Sequence, residues 1–202
     1  MSAVRYKLIF AAINKSLALL NYNIRDNLHK QHEFKKKTIL ADKSLTKDEK
    51  NEAIRMLNRT YDQNKLIYNE GTKRICEHCQ LECLATLFCE HCVRNYLKSE
   101  FSNWASGNDD IDNLIQICQR EIVRLDYIVE WIPYDNLQNI EYLTKGGCSE
   151  IYIADWVDGS YDKWDPKEQK LKRFGTHKVI LKKLENVESA NQSWFEEVCN
   201  LK

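Results

Sequence analysis

Leu143-Thr144-Lys145-Gly146-Gly147-Cys148-Ser149-Glu150-Ile151-Tyr152-Ile153-Ala154, followed after a polar segment by Val179-Ile180-Leu181-Lys182, is the stretch that decides the fold. Runs rich in β-branched and aromatic residues flank a glycine pair, which reads as two strands joined by a turn. Residues 140–145 form the expected first strand and residues 150–157 the second. Residues 179–182 close an apolar third strand. Glycine lets backbone approach an anion with no Cβ in the way. A lysine on the neighbouring strand adds a fixed positive charge at the same place. The plain alternative is a Gly-Gly hairpin with a surface lysine.

Between these strands, residues 158–176 are polar and include Asp165-Pro166, with Trp156 and Trp164 nearby. This connection is longer than a hairpin normally uses and reads as an exposed insertion. Beyond Lys182, Ser189 can cap a helix that carries Trp194, Phe195, Glu196, Glu197 and Val198. On the other side, Val129-Glu130-Trp131-Ile132-Pro133-Tyr134 is extended, held so by its proline, with Trp131 the expected anchor.

Residues 76–92 carry the second chemical feature. Cys76-Glu77-His78-Cys79 is followed, after nine residues, by Cys89-Glu90-His91-Cys92. Two such pairs let four thiolates converge as a tetrahedron, which suits zinc. The set Cys76, Cys79, Cys89 and Cys92 would be a closed structural site with no position left for water. Cys83, His78 and His91 are spare ligand types expected to lie outside it. A redox-active pair is the rival, but no βαβ pattern surrounds it.

The first 75 residues read as helix. Ile9, Ile13, Leu17, Leu20, Ile24 and Leu28 recur at steps of three and four, so one helix is expected over residues 3–40. Residues 41–45 break it. Thr46-Lys47-Asp48-Glu49 is a capping box that opens a second helix, running to about Asn69 and ended by Gly71. Ile54, Leu57, Tyr61 and Tyr68 share its apolar side. Two such helices make an antiparallel hairpin whose stripe is buried within itself or on a protein partner. After the cysteines, Val93, Leu97, Phe101 and Trp104 space a further helix. Asp109, Asp110 and Asp112 crowd the start of another, whose apolar side holds Ile111, Leu114, Ile115, Cys118 and Ile122.

The 202 residues carry no net charge, but residues 1–75 hold 16 Lys/Arg against 8 Asp/Glu and residues 76–202 hold 14 against 22. A solvated helix surface explains the basic half more simply than nucleic acid does, so nucleic acid is not expected as a partner. No apolar run reaches the length of a membrane helix. Residues 8–13 are too short an apolar core for a cleaved leader. The expectation is an intracellular, cytoplasmic protein, in which eight cysteines mean metal or free thiols rather than a disulfide framework.

The series as a whole resembles protein kinases, in particular a fungal group of the tyrosine-kinase-like branch. The motifs are the cysteine pairs, Phe101-Ser102-Asn103-Trp104-Ala105-Ser106-Gly107-Asn108-Asp109-Asp110-Ile111-Asp112, Glu130-Trp131-Ile132-Pro133-Tyr134, Lys145-Gly146-Gly147 and Val179-Ile180-Leu181-Lys182. Measured against the kinase patterns G-x-G-x-x-G-x-V and V-A-I-K, Gly146 takes the second glycine position and Ile151 the valine. Thr144 stands for the first glycine, Ser149 for the third, and Cys148 for the usual aromatic.

The resemblance implies an ATP-phosphate loop made by Thr144, Lys145, Gly146, Gly147, Cys148, Ser149 and Ile151. It implies a phosphate-pairing Lys182 held by Glu197, with Glu196 the alternative. Complete relatives would use ATP and magnesium to phosphorylate serine, threonine or tyrosine in signalling. No His-Arg-Asp and no Asp-Phe-Gly occurs in these residues, so no catalytic residue is assigned and the chain is expected to be inactive by itself, as a fragment or pseudokinase.

The expected fold is α+β. A helical hairpin spans residues 1–75, and a zinc knuckle with its following helix spans 76–105. A linker helix and extended segment take 106–136, and a partial kinase small lobe of antiparallel sheet plus helix takes 137–202. The rival function is a zinc-stapled helical scaffold with a vestigial kinase segment.

Overall fold

The structure, a computed structural model, describes residues 4–24, 27–145 and 149–184. It is α+β and divides into two compact units, Met1–Cys92 and Val93–Lys202. No described helix is long and apolar enough to cross a membrane.

The first unit is built on three helices, α1 (Tyr6–Ala18), α2 (Leu28–Ala41) and α3 (Lys47–Tyr68), each packed against the other two. Ile9, Ala12, Ile39, Leu45, Ala53 and Leu57 form their common core. The single helix expected over residues 3–40 is therefore two helices, and the expected hairpin is a three-helix arrangement. The reason lies in asparagine. Asn21 turns its side-chain oxygen to the Asn23 N–H at 3.0 Å, and Asn27 caps α2 by accepting the Lys30 N–H at 2.8 Å. Such short polar side chains offer the backbone an alternative to helix. The apolar spacing continues through the break, which is why periodicity alone overlooks it.

α3 follows its sequence signals closely. Thr46 Oγ1 accepts the Glu49 N–H at 3.3 Å and Glu49 Oε2 accepts the Thr46 N–H at 2.9 Å, so both halves of the capping box form. Arg5 adds its guanidinium to the same carboxylate at 2.7 and 2.9 Å. At the other end Asn69 takes the left-handed conformation, and Gly71 follows at φ +110°. A Cβ on Gly71 would stand 2.8 Å from Lys65 Cδ.

Beyond α3, strands β1 (Arg74–Ile75) and β2 (Glu82–Cys83) pair antiparallel, and α4 (Glu90–Glu100) begins. The second unit continues with α5 (Asp109–Arg120), whose N-terminal Asn108 side chain accepts the N–H groups of Asp110 and Ile111. A three-stranded antiparallel sheet follows, in the order β3 (Leu137–Lys145), β4 (Ser149–Trp156), β7 (His177–Leu184).

Between β4 and β7 lies a separate hairpin, β5 (Tyr161–Asp165) with β6 (Lys170–Arg173). This corrects the expected exposed insertion. Tyr161, Trp164 and Leu171 are buried, and Asp165 closes the turn by accepting the N–H groups of Lys167 and Glu168. The many charges of this segment lie around those three side chains, so its average polarity conceals a core contribution.

The extended segment before β3 also differs from expectation in its anchor. Trp131 is exposed. The buried side chain is that of Glu130, which accepts the Arg173 guanidinium at 2.6 Å. Arg173 in turn lies over the Tyr161 ring at 4.1 Å. The Glu130 carboxylate is buried here because its counter-charge meets it there, and that counter-charge is itself held on an aromatic face.

Candidate functional site

Two places carry candidate chemistry, one in each unit. In the first, β1 runs into a tight turn that presents Cys76 and Cys79. Gln80 adopts φ +59°, its N–H bonds Cys76 O at 2.9 Å, and the Cys76 N–H bonds Leu81 O at 2.9 Å. The second pair comes from the start of α4, where Cys89 precedes the helix and Cys92 lies on its first turn. The nine-residue spacer is folded back by Arg74, whose guanidinium donates to Ala85 O at 2.8 Å and Phe88 O at 2.6 Å.

The four sulfurs of Cys76, Cys79, Cys89 and Cys92 all lie within 4.8 Å of one another. Cys76 and Cys92 are 3.7 Å apart and Cys79 and Cys89 3.6 Å. None of them is in a disulfide. A zinc ion with sulfur ligands at about 2.3 Å has tetrahedral edges of about 3.8 Å, so the donor set and its spacing fit the ion. The Cys79 backbone N–H, ahead of other causes, pulls the Cys76 thiol down to about 6. Burial pushes Cys92 up to about 12 and Cys89 higher still. A buried cation would supply the charge needed to take those remaining protons off. Cys83, His78 and His91 stay outside the four-sulfur group, and His91 Nε2 instead faces Glu82 O at 2.9 Å.

Two charged residues of α3 hold the spacer from behind. Asp62 and Lys65 on α3 are 1 % and 2 % exposed and lie 3.6 Å apart. Asp62 accepts the Thr86 N–H and hydroxyl and the Leu87 N–H. Lys65 donates to Leu84 O and sits 4.8 Å from the Tyr61 ring centre. One signal was present: Lys65 occupies the position where the stripe Leu57, Tyr61, Tyr68 calls for an apolar residue.

In the second unit, the register across β3, β4 and β7 sets Thr144 opposite Ile151 and Ile151 opposite Lys182. Directly paired residues share a face of the sheet. Ile153 and Ile180 are paired on that same face. The opposite face carries Tyr142, Tyr152, Ala154 and Trp156, of which Ala154 and Trp156 are buried. Lys182 is exposed and makes no ion pair among the described residues. Lys145 pairs with Glu150 in the register, and Ser149 is buried opposite Leu184. Gly146, Gly147, Cys148, Glu196 and Glu197 lie outside the described residues.

No protein-family model matches this chain, and no curated protein and no solved structure matches it either.

Proposed function

We propose that the chain is the nucleotide-contacting front of a protein kinase small lobe, preceded by a helical module stapled by a structural zinc ion. The observation that carries the reading is the cross-strand register. Ile151 and Lys182 face each other on adjacent strands, and β3 and β4 lead directly into the glycine pair from either side. In this reading the backbone at Gly146 and Gly147 cradles the phosphates of ATP. Thr144, Lys145, Cys148 and Ser149 shape the loop, and Ile151 lies beneath the base. Lys182 neutralises phosphate charge and Glu197 holds its ammonium in place.

The four cysteines hold zinc as a closed site, which fixes the knuckle and does no chemistry on substrate. A catalytic base and magnesium ligands belong to motifs not found in these residues, so nucleotide contact is this chain's part of the reaction. A fluorescent ATP analogue should bind weakly to the purified chain, and Lys182→Met should weaken it about tenfold, the equivalent of roughly 1.4 kcal/mol. Equal binding by both proteins would remove the kinase reading.

A second reading, a zinc-stapled scaffold for protein partners, is favoured by one observation: Asp62 and Lys65, both buried on α3, bond the loop between the two cysteine pairs. That reading requires metal retention without any nucleotide binding.

A further inference from the structure

One side of the four-thiol centre carries a second group of donors. Cys83 on β2 is 2 % exposed, and Glu90 at the start of α4 is 6 % exposed. The sulfurs of Cys83 and Cys89 and a carboxylate oxygen of Glu90 lie within 4.8 Å of one another. Glu90 is oriented by its own hydrogen bond, since Oε1 accepts the Leu84 N–H at 2.7 Å. Its other oxygen, Oε2, is buried and meets no hydrogen-bond donor among the described residues. An unpaired buried carboxylate oxygen is destabilising unless a proton or a cation meets it.

We propose that Cys83, Cys89 and Glu90 form a second metal site that adjoins the four-thiol centre, shares the Cys89 sulfur, and takes a thiophilic divalent cation such as zinc or cadmium. A thiolate sulfur keeps lone pairs after binding one ion, so Cys89 can bridge two. Two sulfurs and one oxygen leave a fourth tetrahedral position for water, unlike the closed neighbouring site. The donors are preorganised. β2 is paired to β1, the Leu84 N–H fixes Glu90, and Arg74 with Asp62 holds the spacer between Cys83 and Cys89. A ligating carboxylate that is itself hydrogen-bonded is the usual arrangement around bound metals. The proposal rests on the four-thiol reading only through the shared sulfur, and it is independent of the kinase reading.

The test is anaerobic titration of the reduced, metal-stripped full chain with cadmium, followed by thiolate-to-metal absorbance and cadmium NMR. The wild type should saturate at about two ions per chain and give two resonances coupled through the bridging sulfur. Cys83→Ser and Glu90→Gln should each saturate at about one ion and keep the four-sulfur resonance. Wild-type saturation at about one ion overturns the proposal and leaves the four-thiol site standing. Two resonances that survive both variants overturn it equally. Failure to bind any cadmium overturns both sites. Should a variant not fold, the wild-type stoichiometry and coupling decide alone.

Discussion

Asp62 accepts the backbone N–H of Thr86 at 2.7 Å, so a carboxylate on the third helix fixes the loop between the two cysteine pairs. It also takes the Thr86 hydroxyl and, at 2.8 Å, the Leu87 N–H, while Lys65 balances its charge from 3.6 Å. Asp62→Ala would leave the Lys65 ammonium buried without its partner and two amides unpaired. Such losses cost about 3–5 kcal/mol. Urea unfolding of Met1–Cys92 within the full chain should show it as an earlier transition, and zinc should leave faster to a chelator. An unchanged midpoint would mean that the clamp contributes nothing.

The Glu49 carboxyl supplies a pH-dependent term. Arg5, first by hydrogen bonding, draws its pKa from the ordinary 4.5 down to about 2. Because the folded value is the lower one, the stabilisation is fully present above about 4.5 and is lost as pH falls towards 2. The gap in urea midpoint between wild type and Glu49→Gln should therefore narrow steadily on acidification through that window. A constant gap would place the Arg5 contact in the category of exposed pairs with no measurable worth.

Metal binding should depend steeply on pH in the opposite sense to proton uptake. Burial keeps the Cys89 and Cys92 thiols protonated at neutral pH, whereas Cys76, at about 6, is largely ionised there. Zinc must displace at least about two protons, so apparent affinity should fall about a hundredfold or more per pH unit below neutrality. The four-thiol site of the reduced chain should hold about one zinc, and Cys89→Ser should weaken that binding. Competition with a chromophoric chelator at several pH values measures both.

Glu130→Ala should loosen the hairpin β5–β6. The substitution strips Arg173 of its 2.6 Å partner while the guanidinium still lies on Tyr161. A hydrogen bond between charged groups contributes about 2 kcal/mol. Faster amide exchange along Tyr161–Asp165, with β3–β4–β7 unaffected, is the expected signature. Trp131→Ala, by contrast, should leave the exchange of Tyr161–Asp165 unchanged, since Trp131 is partly exposed and makes no bond to Arg173 among the described residues.

Legibility in the sequence followed the range of the forces concerned. The capping box at Thr46 and Glu49, the acidic first turn of α5 and the strands around the glycine pair were readable because each is decided within a few residues. So were the four cysteines, whose chemistry restricts what their spacing can mean. The break after α1 was overlooked because an unbroken apolar rhythm outvoted three asparagines. The hairpin β5–β6 was overlooked because three buried side chains were diluted by charges around them.

Local sequence suffices for most of the helix and strand segments, for the two ends of α3 and for the grouping of four thiols. Folding in three dimensions is what sets Lys182 across from Ile151, clamps the loop at residues 84–87 with Asp62 and Lys65, and buries Glu130 rather than Trp131. Propensity and capping act between neighbours along the chain. Register and the pairing of buried charges depend on groups brought together from distant positions, and a charge enters the interior only where its partner is already waiting.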